Sequence, residues 1–313
     1  MINHQTLYTS AASLFLLLGC SAEPAGDDPV DAGQTGDAGQ TADARIPTDE
    51  WGALIAGDWS LAAGTEGYVC VRLTVSQDLY ITDFRALSPL GTHHSVLTVG
   101  APSQPDGTAP CNAGTNHGAM IYGAGIGTDE ISLPAGVAMP VRAGQQLLLN
   151  LHLYNVSDAA LSGTSAVEVR TISAAEVQQE AEVILMGKVL SLTIPPGEVT
   201  QIGNCEMNGD VTLFMVSPHM HRLGTHMQVV AHRNGLPPEI LHDQAYSFEE
   251  QLIYPIEPIE MKRGDRLEVH CTYNNTTGTT IGFGDSSDEE MCFSTTFRYP
   301  PYGGTFGPVC AQD

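Results

Sequence analysis

The 313-residue chain has few basic residues, and this scarcity limits the partners it can have. Lysine and arginine together number 12, against 36 aspartates and glutamates. Residues 21–50 contain eight of the acids and one of the bases, so 28 acids and 11 bases remain elsewhere. The remaining net charge near −17 repels phosphate backbones, which argues against nucleic acid as a partner.

The sequence also lacks a C-x-x-C pair, so a metal-thiolate site is a poor interpretation of its seven cysteines. Cys20 stands apart in the N-terminal segment. The other six form an even set, which in an exported chain indicates disulfides made outside the cytoplasm; they are Cys70, Cys111, Cys205, Cys271, Cys292 and Cys310. A domain boundary near residue 180 confines Cys70 and Cys111 to the first half. The six cysteines then have three possible pairings.

The apolar run at residues 11–18 is far shorter than the ~20 residues that span a bilayer. It predicts an export signal over residues 1–20. Leu17-Leu18-Gly19-Cys20 resembles a bacterial lipobox, which predicts lipidation of Cys20, a lipid anchor as the only membrane attachment and a location in the cell envelope. An ordinary secretory signal is the alternative. Residues 21–50 predict a disordered acidic linker, because they have almost no apolar surface to bury.

Long helical periodicity is nearly absent, and 33 glycines and 19 prolines accompany short β-branched and aromatic runs. This pattern predicts an all-β fold. We expect two antiparallel β-sandwich (jelly-roll-like) domains in tandem, over residues 51–180 and 181–313. Residues 173–182 are the only segment whose composition favours a helix. We interpret this segment as a linker or a short turn of helix. Four segments are predicted to be turns before strands, namely 133–136, 141–145, 195–197 and 262–265.

Three histidine motifs and one methionine are the most informative features. They occur in Thr92-His93-His94, Leu151-His152-Leu153, His219-Met220-His221 and Glu290-Met291-Cys292. In a strand, residues i and i+2 face the same way, so His219 and His221 can bind one ion. Adjacent His93 and His94 need a bulge or a strand end to converge.

Imidazoles joined by a thioether form a soft ligand set that favours copper, especially Cu(I). The sequence therefore predicts two copper sites, one in each half of the chain. Each motif alone has a simpler explanation, since a lone H-x-H is often incidental, a histidine in an apolar strand is often a core residue, and most methionines fill cores. Surface or strand positions suffice for the other histidines: His117, His226, His232, His242 and His270.

Taken in order, the motifs resemble those of the copper type II, ascorbate-dependent monooxygenases, the family of peptidylglycine alpha-hydroxylating monooxygenase and dopamine beta-monooxygenase. The resemblance covers roughly residues 68–310. It is most specific from His219-Met220-His221-Arg222-Leu223-Gly224, through Tyr254-Pro255 and Gly264-Asp265-Arg266-Leu267, to Ser286-Ser287-Asp288-Glu289-Glu290-Met291-Cys292.

The resemblance implies two coppers per chain, in separate domains that face each other across a solvent-filled cleft. His93, His94 and His152 would hold the electron-transfer copper. The catalytic copper, where O₂ reacts and a substrate carbon is hydroxylated, would be held by His219, His221 and Met291. Ascorbate, or another one-electron reductant, would reduce both. The implied disulfides are Cys70 with Cys111, Cys205 with Cys310, and Cys271 with Cys292.

The chain departs from the peptide-hydroxylating branch at positions that concern the substrate. That branch has an arginine two residues before H-x-H, where this chain has Ser217, and it has Asn and Tyr where this chain has Phe293 and Thr295. Peptidylglycine is therefore a doubtful substrate, and a small organic molecule is expected. Residues expected to line or border the site are Tyr154, Asn155, Met220 and Phe293. Two rival functions are a copper-buffering lipoprotein without turnover and a non-catalytic β-sandwich adhesion module.

Overall fold

The computed structural model describes residues 50–188, 191–284, 286–302 and 309–310. Strands and turns account for all the secondary structure in these residues, so the all-β prediction is confirmed. In the same residues no helix is long and apolar enough to cross a membrane. Cys20, the predicted export signal and all but the last residue of the predicted linker lie outside the described residues.

The first half forms two sheets, named here after a central strand. The β3 sheet has the order β1-β10-β3-β8-β11, with β7 also paired to β3, and the β9 sheet has the order β5-β2-β9-β4-β6. The strands are β1 Gly52–Leu61, β2 Glu66–Thr74, β3 Leu79–Leu87, β4 Thr92–Gly100, β5 Gly107–Pro110, β6 Ala119–Gly125, β7 Ile131–Ser132, β8 Val137–Val141, β9 Gln146–Tyr154, β10 Leu161–Thr171 and β11 Gln179–Glu180.

One hydrophobic core collects side chains from both of these sheets. Ile55 and Phe84 come from the β3 sheet, and Val71, Leu97 and Leu149 come from the β9 sheet. Strand β9 is central in its sheet and is buried over its whole length except at its last residue. A central position of this kind explains the almost continuous apolar run, in which the one histidine must find a specific partner.

The second half also forms two main sheets. The β21 sheet has the order β18-β15-β21-β12-β22, the β19 sheet has the order β14-β19-β16-β17, and β13 pairs with β20. The strands are β12 Glu182–Lys188, β13 Thr193–Ile194, β14 Gly197–Glu206, β15 Val211–His219, β16 Gly224–His232, β17 Glu239–Ala245, β18 Tyr254–Met261, β19 Arg266–Asn275, β20 Ile281–Gly282, β21 Cys292–Tyr299 and β22 Val309–Cys310.

A second hydrophobic core lies between the β21 and β19 sheets and contains Leu213, Val229 and Val269. The other face of the β21 sheet packs toward the first half, because Phe214, Met215 and Phe297 belong to the first core. The contact between the halves is therefore partly apolar, and it brings the ends of β4 and β15 to a common region.

The turns before strands β9 and β19 are built in the same way. Gly144 has a φ of 82° and donates its N–H to the Val75 carbonyl, while Gly264 has a φ of 86° and donates to the Met207 carbonyl. Glycine adopts this left-handed conformation without the steric cost of a Cβ. The predicted turns are confirmed at these positions, and each one precedes an inner strand of its sheet.

Residues 173–182 form a turn and a short strand instead of a helix. The Glu176 N–H donates to the Ser173 carbonyl, and the Glu176 carboxylate accepts the Ser173 hydroxyl. The N–H groups of Gln178 and Gln179 then donate to the Gly136 carbonyl, which aligns β11 beside β8. The helical-turn interpretation is wrong because these backbone donors bind a neighbouring loop; the linker interpretation stays a prediction.

Three disulfides join the described cysteines, and their pairing is the one that the family resemblance implies. They link Cys70 with Cys111, Cys205 with Cys310, and Cys271 with Cys292. The third fastens the start of β21 to β19. It thereby fixes the loop that ends at Met291, one residue before the bond.

Candidate metal centres

The first candidate centre lies where β4 and β9 run side by side. His94 pairs directly with His152 in the β4–β9 ladder, and the register shifts between Thr92 and His94. This irregularity is the bulge that two adjacent histidines need if their rings are to converge. The protein thus places His93, His94 and His152 on one side of the sheet.

The three imidazoles meet through their Nδ1 atoms. The Nδ1 atoms of His93 and His94 are 3.1 Å apart, and those of His94 and His152 are 3.3 Å apart. One ring nitrogen from each residue lies within 4.8 Å of the other two. Three nitrogens at these distances can hold one metal ion.

A carboxylate orients the buried histidine of this set. The His152 Nε2–H donates to Glu66 Oε1 at 2.5 Å, and the Tyr68 ring stacks on the imidazole with centroids 4.5 Å apart. A proton held on Nε2 leaves the lone pair on Nδ1, which points at the other two rings. Carboxylate–histidine pairs of this kind orient metal ligands and raise their basicity.

Burial keeps the three imidazoles in the neutral form that binds metals. Desolvation lowers the pKa of His93, of His94 and of His152, and for His94 the fall is well below the ordinary value. The neighbouring imidazoles lower the pKa of His94 further. Neutral imidazole is the state that a transition-metal ligand requires.

Glu66→Ala is expected to weaken copper binding at the first centre by about 10–100-fold, the usual effect of losing the carboxylate that orients a metal-bound histidine. The measurement is a competition titration against a Cu(I) chelator. Asp288→Ala removes an exposed carboxylate that lines the same surface pocket as Glu66, and it serves as the matched control. Equal copper affinity in the wild type and Glu66→Ala would contradict the orienting role of Glu66.

The second candidate centre lies at the end of β15. His219 is the last residue of the strand, and the rings of His219 and His221 are 5.4 Å apart and nearly perpendicular. Met220 is fully buried in the second core. The alternation expected of H-x-H is therefore present, with both histidines on one side and Met220 on the other.

Two acceptors fix the ring orientation of these histidines. The His219 Nδ1 lies 3.0 Å from Gln251 Oε1, and the His221 Nδ1 lies 3.0 Å from the Glu289 carbonyl oxygen. Both acceptors require a proton on Nδ1, so Nε2 carries the lone pair in each ring. Burial and the neighbouring His221 lower the pKa of His219 to about 4, so His219 is neutral at pH 7.

Met291 ends the loop between β20 and β21 and lines the same cavity as His219 and His221. The Tyr273 hydroxyl donates to the Met291 carbonyl at 2.6 Å, and the Cys271–Cys292 disulfide follows immediately. These bonds hold the backbone at Met291 and at the residue that follows it. The structure therefore places Met291 and the H-x-H pair, 70 residues apart in the sequence, on the walls of one cavity.

Glu290 is a structural element of this centre that sequence reasoning missed. Its carboxylate is fully buried and accepts the backbone N–H groups of His221 at 2.8 Å and Leu223 at 2.7 Å. Burial raises the pKa of Glu290 to about 7. Its acidic neighbours in the sequence suggest a solvated turn, and no local signal separates Glu290 from them.

Both centres face one cavity of about 330 Å³ between the two halves. Its lining includes His94 from the first set and His219, His221 and Met291 from the second. The Phe248 ring lies between the sets, 5.0 Å from the His93 ring and 6.2 Å from the His221 ring. A molecule in this cavity can therefore approach both centres.

The residues expected to border the site differ in their positions. Phe293 lines the cavity, and the half-exposed Tyr154 ring lies 6.3 Å from the His93 ring. Asn155 is instead buried in a turn, where its amide donates to the carbonyls of Ala62 and Ala159. Met220 is a core residue, so neither Asn155 nor Met220 borders the site.

The remaining described histidines are absent from the cavity lining. His226 lies 3.1 Å from Asp243, both His232 and His270 approach Glu268, and the His242 ring packs on Tyr254. His117 packs near Gly100. His226, His232, His242 and His270 thus lie on strands, as expected, whereas His117 lies in a loop.

The donors of the two centres fit copper. The first set offers three imidazole Nδ1 atoms, and the second offers two imidazole Nε2 atoms with a thioether nearby. Soft thioether ligands select Cu(I), and imidazole suits copper in either oxidation state. The fold and the two donor sets thus define a copper-binding β protein.

Comparison with known proteins agrees with this class. Residues 179–306 match the family described as copper type II ascorbate-dependent monooxygenase, C-terminal domain. The chain is 26% identical over 248 residues to peptidyl-glycine alpha-amidating monooxygenase A of Xenopus laevis, covering 73% of this chain and 26% of that protein. It is 28% identical over 201 residues to the putative DBH-like monooxygenase protein 2 of Homo sapiens, covering 58% of this chain and 40% of that protein.

The chain is thus similar to copper type II ascorbate-dependent monooxygenases over residues 179–306 and through these relatives, which supports copper as cofactor and ascorbate as reductant. It spans about a quarter of the length of the amphibian relative and 40% of the human one.

Proposed function

We propose that the protein is an exported monooxygenase with two copper ions, which hydroxylates a C–H bond of a small organic substrate. One atom of O₂ enters the C–H bond, the other leaves as water, and ascorbate or a similar reductant supplies the two electrons and two protons. The observation that carries this proposal is the common cavity, which is lined by histidine from one donor set and by histidine and methionine from the other.

The two centres would have different roles because their donors differ. His93, His94 and His152 would hold the electron-transfer copper, and His219, His221 and Met291 would hold the catalytic copper. Bound copper would supply one-electron transfer at the first centre and activation of O₂ at the second. Glu66, Gln251 and the Glu289 carbonyl orient the rings, and the Phe248 ring lies between the two histidine sets.

We further propose that the two copper centres belong to two tandem β-sandwich domains, over residues 51–180 and 181–313. Two separate hydrophobic cores support this division, as does the matched construction of the turns at Gly144 and Gly264. The apolar contact through Phe214, Met215 and Phe297 would hold the domains together.

An exported location is supported by the three disulfides, which persist in oxidising compartments. We expect lipid attachment at Cys20, because the apolar run before it ends in a lipobox-like sequence. Mass spectrometry of the mature N-terminus should find a diacylated Cys20. An unmodified N-terminus beyond Cys20 would refute the anchor and leave the enzyme proposal intact.

Peptides that end in glycine are expected to be poor substrates. A carboxylate that enters a cavity needs a charged donor to replace its water, and Ser217 supplies a hydroxyl that already donates to the Leu252 carbonyl at 3.1 Å. The test compares turnover of such a peptide with that of its C-terminal amide. Efficient, carboxylate-dependent turnover would overturn this expectation.

Two measurements separate the proposal from its rivals. Metal analysis of the purified protein should find about two coppers per chain, whereas an adhesion module would bind none. Ascorbate-dependent O₂ uptake should then accompany product formation in the copper-loaded protein. Two coppers without ascorbate-dependent product formation would favour a copper-buffering protein instead.

A further inference from the structure

We infer that the surface pocket beside the first centre binds the reductant, a small anionic enediol such as ascorbate, and that Arg222 recognises its charge. This inference rests on the proposed function and adds a second ligand site next to the cavity in which the substrate would react. The pocket has a volume of about 470 Å³, and residues from both halves of the chain line it.

The lining of the surface pocket suits a small molecule that carries several hydroxyl groups. Apart from Ala113 and Gly114, every described lining residue has a polar side chain. Hydroxyl, amide, carboxylate and guanidinium groups can each form a hydrogen bond with a hydroxyl or enolate oxygen. The cavity lining, in contrast, includes aliphatic and aromatic side chains such as Leu185 and Phe283. A strongly hydrated enediol therefore finds more partners in the surface pocket.

Two lining residues connect this pocket to the first centre. Glu66 Oε1 accepts the His152 Nε2–H at 2.5 Å. The Tyr68 ring stacks on the His152 imidazole, with centroids 4.5 Å apart and planes inclined by 5°. A molecule that contacts Tyr68 in the pocket is therefore separated from an expected copper ligand by one aromatic ring. The pocket thus offers an electron a short path to the first centre.

Delivery of an electron from this pocket requires no further reactant. The bound enediol monoanion loses one electron and one proton and becomes its radical anion. The electron passes through the His152 side chain to the first centre, and the proton enters the solvent. Solvent reaches the pocket because the Arg222 and Asp288 side chains are 64% and 86% exposed. Two such events supply the two electrons and two protons of the proposed reaction.

Arg222 is the one cationic side chain among the described lining residues. Its Nη1 donates to Asp288 Oδ1 at 3.2 Å. An exposed ion pair of this kind is weak, so an anion can displace Asp288 from the guanidinium. The planar guanidinium also has more N–H donors than this contact uses, and they match a pair of neighbouring oxygens. Because the chain is strongly acidic, an anionic reductant needs such a local cation.

A disulfide holds one wall of the pocket in shape. The Cys70–Cys111 bond ties strand β2 to the start of lining residues 112–114, and the Cys111 N–H donates to the Tyr68 carbonyl at 3.2 Å. Glu66 and Tyr68 lie on β2 itself. This wall is therefore formed before a ligand arrives, which lowers the entropy that binding must offset.

Binding is tested by NMR titration of the copper-free full chain with ascorbate in the absence of oxygen. Arg222→Gln should weaken binding by about twofold to fivefold, because the cation is lost. Asp288→Asn should strengthen binding by about twofold, because Arg222 is released from its partner. Arg263→Gln removes an exposed arginine that is absent from the pocket lining. This matched control should bind ascorbate like the wild type.

Reduction of the Cu(II)-loaded protein gives a second readout without O₂ or an organic substrate. Stopped-flow measurements under argon would follow loss of the Cu(II) signal with ascorbate and, separately, with hexaammineruthenium(II), a cationic reductant. At low ascorbate concentration, Arg222→Gln should slow reduction by the same factor by which it weakens binding. Reduction by the cationic reagent should be unchanged or faster, whereas general damage to the first centre would slow both reactions.

The outcomes separate this inference from the proposed function. Equal ascorbate affinity and equal reduction rates in the wild type, Arg222→Gln and Asp288→Asn would overturn the inference. Absence of ascorbate binding, or equal slowing of both reductants in Arg222→Gln, would overturn it as well. Charge-dependent binding and reduction without any hydroxylated product would support the reductant site and count against the monooxygenase proposal.

Discussion

Met291→Ile is expected to fold with its three disulfides intact, keep the copper held by His93, His94 and His152, and lose ascorbate-dependent hydroxylation. Isoleucine keeps the bulk and apolarity of methionine, so the cost to stability should stay below about 1.5 kcal/mol. It removes the thioether, the donor that favours Cu(I) beside the His219–His221 pair. The measurements are copper stoichiometry, Cu(I) affinity by chelator competition and O₂ uptake.

The matched control is Met120→Ile, which changes another methionine in the cavity lining that belongs to neither donor set. Its Cu(I) affinity should equal that of the wild type. Unchanged Cu(I) affinity and O₂ uptake in Met291→Ile would show that Met291 is not a ligand and would return the copper-buffering and adhesion functions to consideration.

Glu290→Ala is expected to destabilise the protein by about 2–5 kcal/mol, because it leaves the buried N–H groups of His221 and Leu223 without their acceptor. The turn that follows His219 should then loosen, and the second copper should be lost before the first. Thermal unfolding and copper stoichiometry measure the two effects. Glu290→Gln keeps one acceptor oxygen and should lie between the alanine variant and the wild type.

Glu289→Ala is the matched control for this prediction. Its side chain is exposed, and its contact with His221 runs through the backbone carbonyl, which alanine retains. The change in stability should stay within about 0.5 kcal/mol. A Glu290→Ala variant as stable as Glu289→Ala, with both coppers bound, would contradict the role assigned to the buried carboxylate.

Local sequence patterns were sufficient for the strands and for some of the geometry at the centres. The spacing of His219 and His221 predicted that both rings share a face. The adjacency of His93 and His94 required a bulge, which the register shift between Thr92 and His94 supplies. The left-handed turns at Gly144 and Gly264 were also readable, because glycine there follows from backbone sterics.

The groups that orient the ligands could not be predicted in this way. Glu66 precedes its partner His152 by 86 residues, and Gln251 follows His219 by 32. Such pairs are created by the packing of strands and loops, for which neither hydrophobic periodicity nor composition gives a signal. The position of Phe248 between the two histidine sets could not be predicted for the same reason.

The wrong predictions for residues 173–182 and for Asn155 have a similar cause. Residues 173–182 have helical composition, yet the N–H groups of Gln178 and Gln179 donate to the Gly136 carbonyl, a contact set by tertiary structure. Asn155 directly follows the strand that carries His152, but its amide bonds close a turn. In both cases a distant backbone group determines the local conformation.

The most direct test of the proposed chemistry uses ¹⁸O₂ with the copper-loaded protein, ascorbate and a small organic substrate found by screening, followed by mass analysis of the product. The account predicts a hydroxylated product that carries one ¹⁸O atom from dioxygen and depends on both copper centres. A product whose oxygen comes from water, or no ascorbate-dependent product from any screened substrate despite two bound coppers, would contradict it.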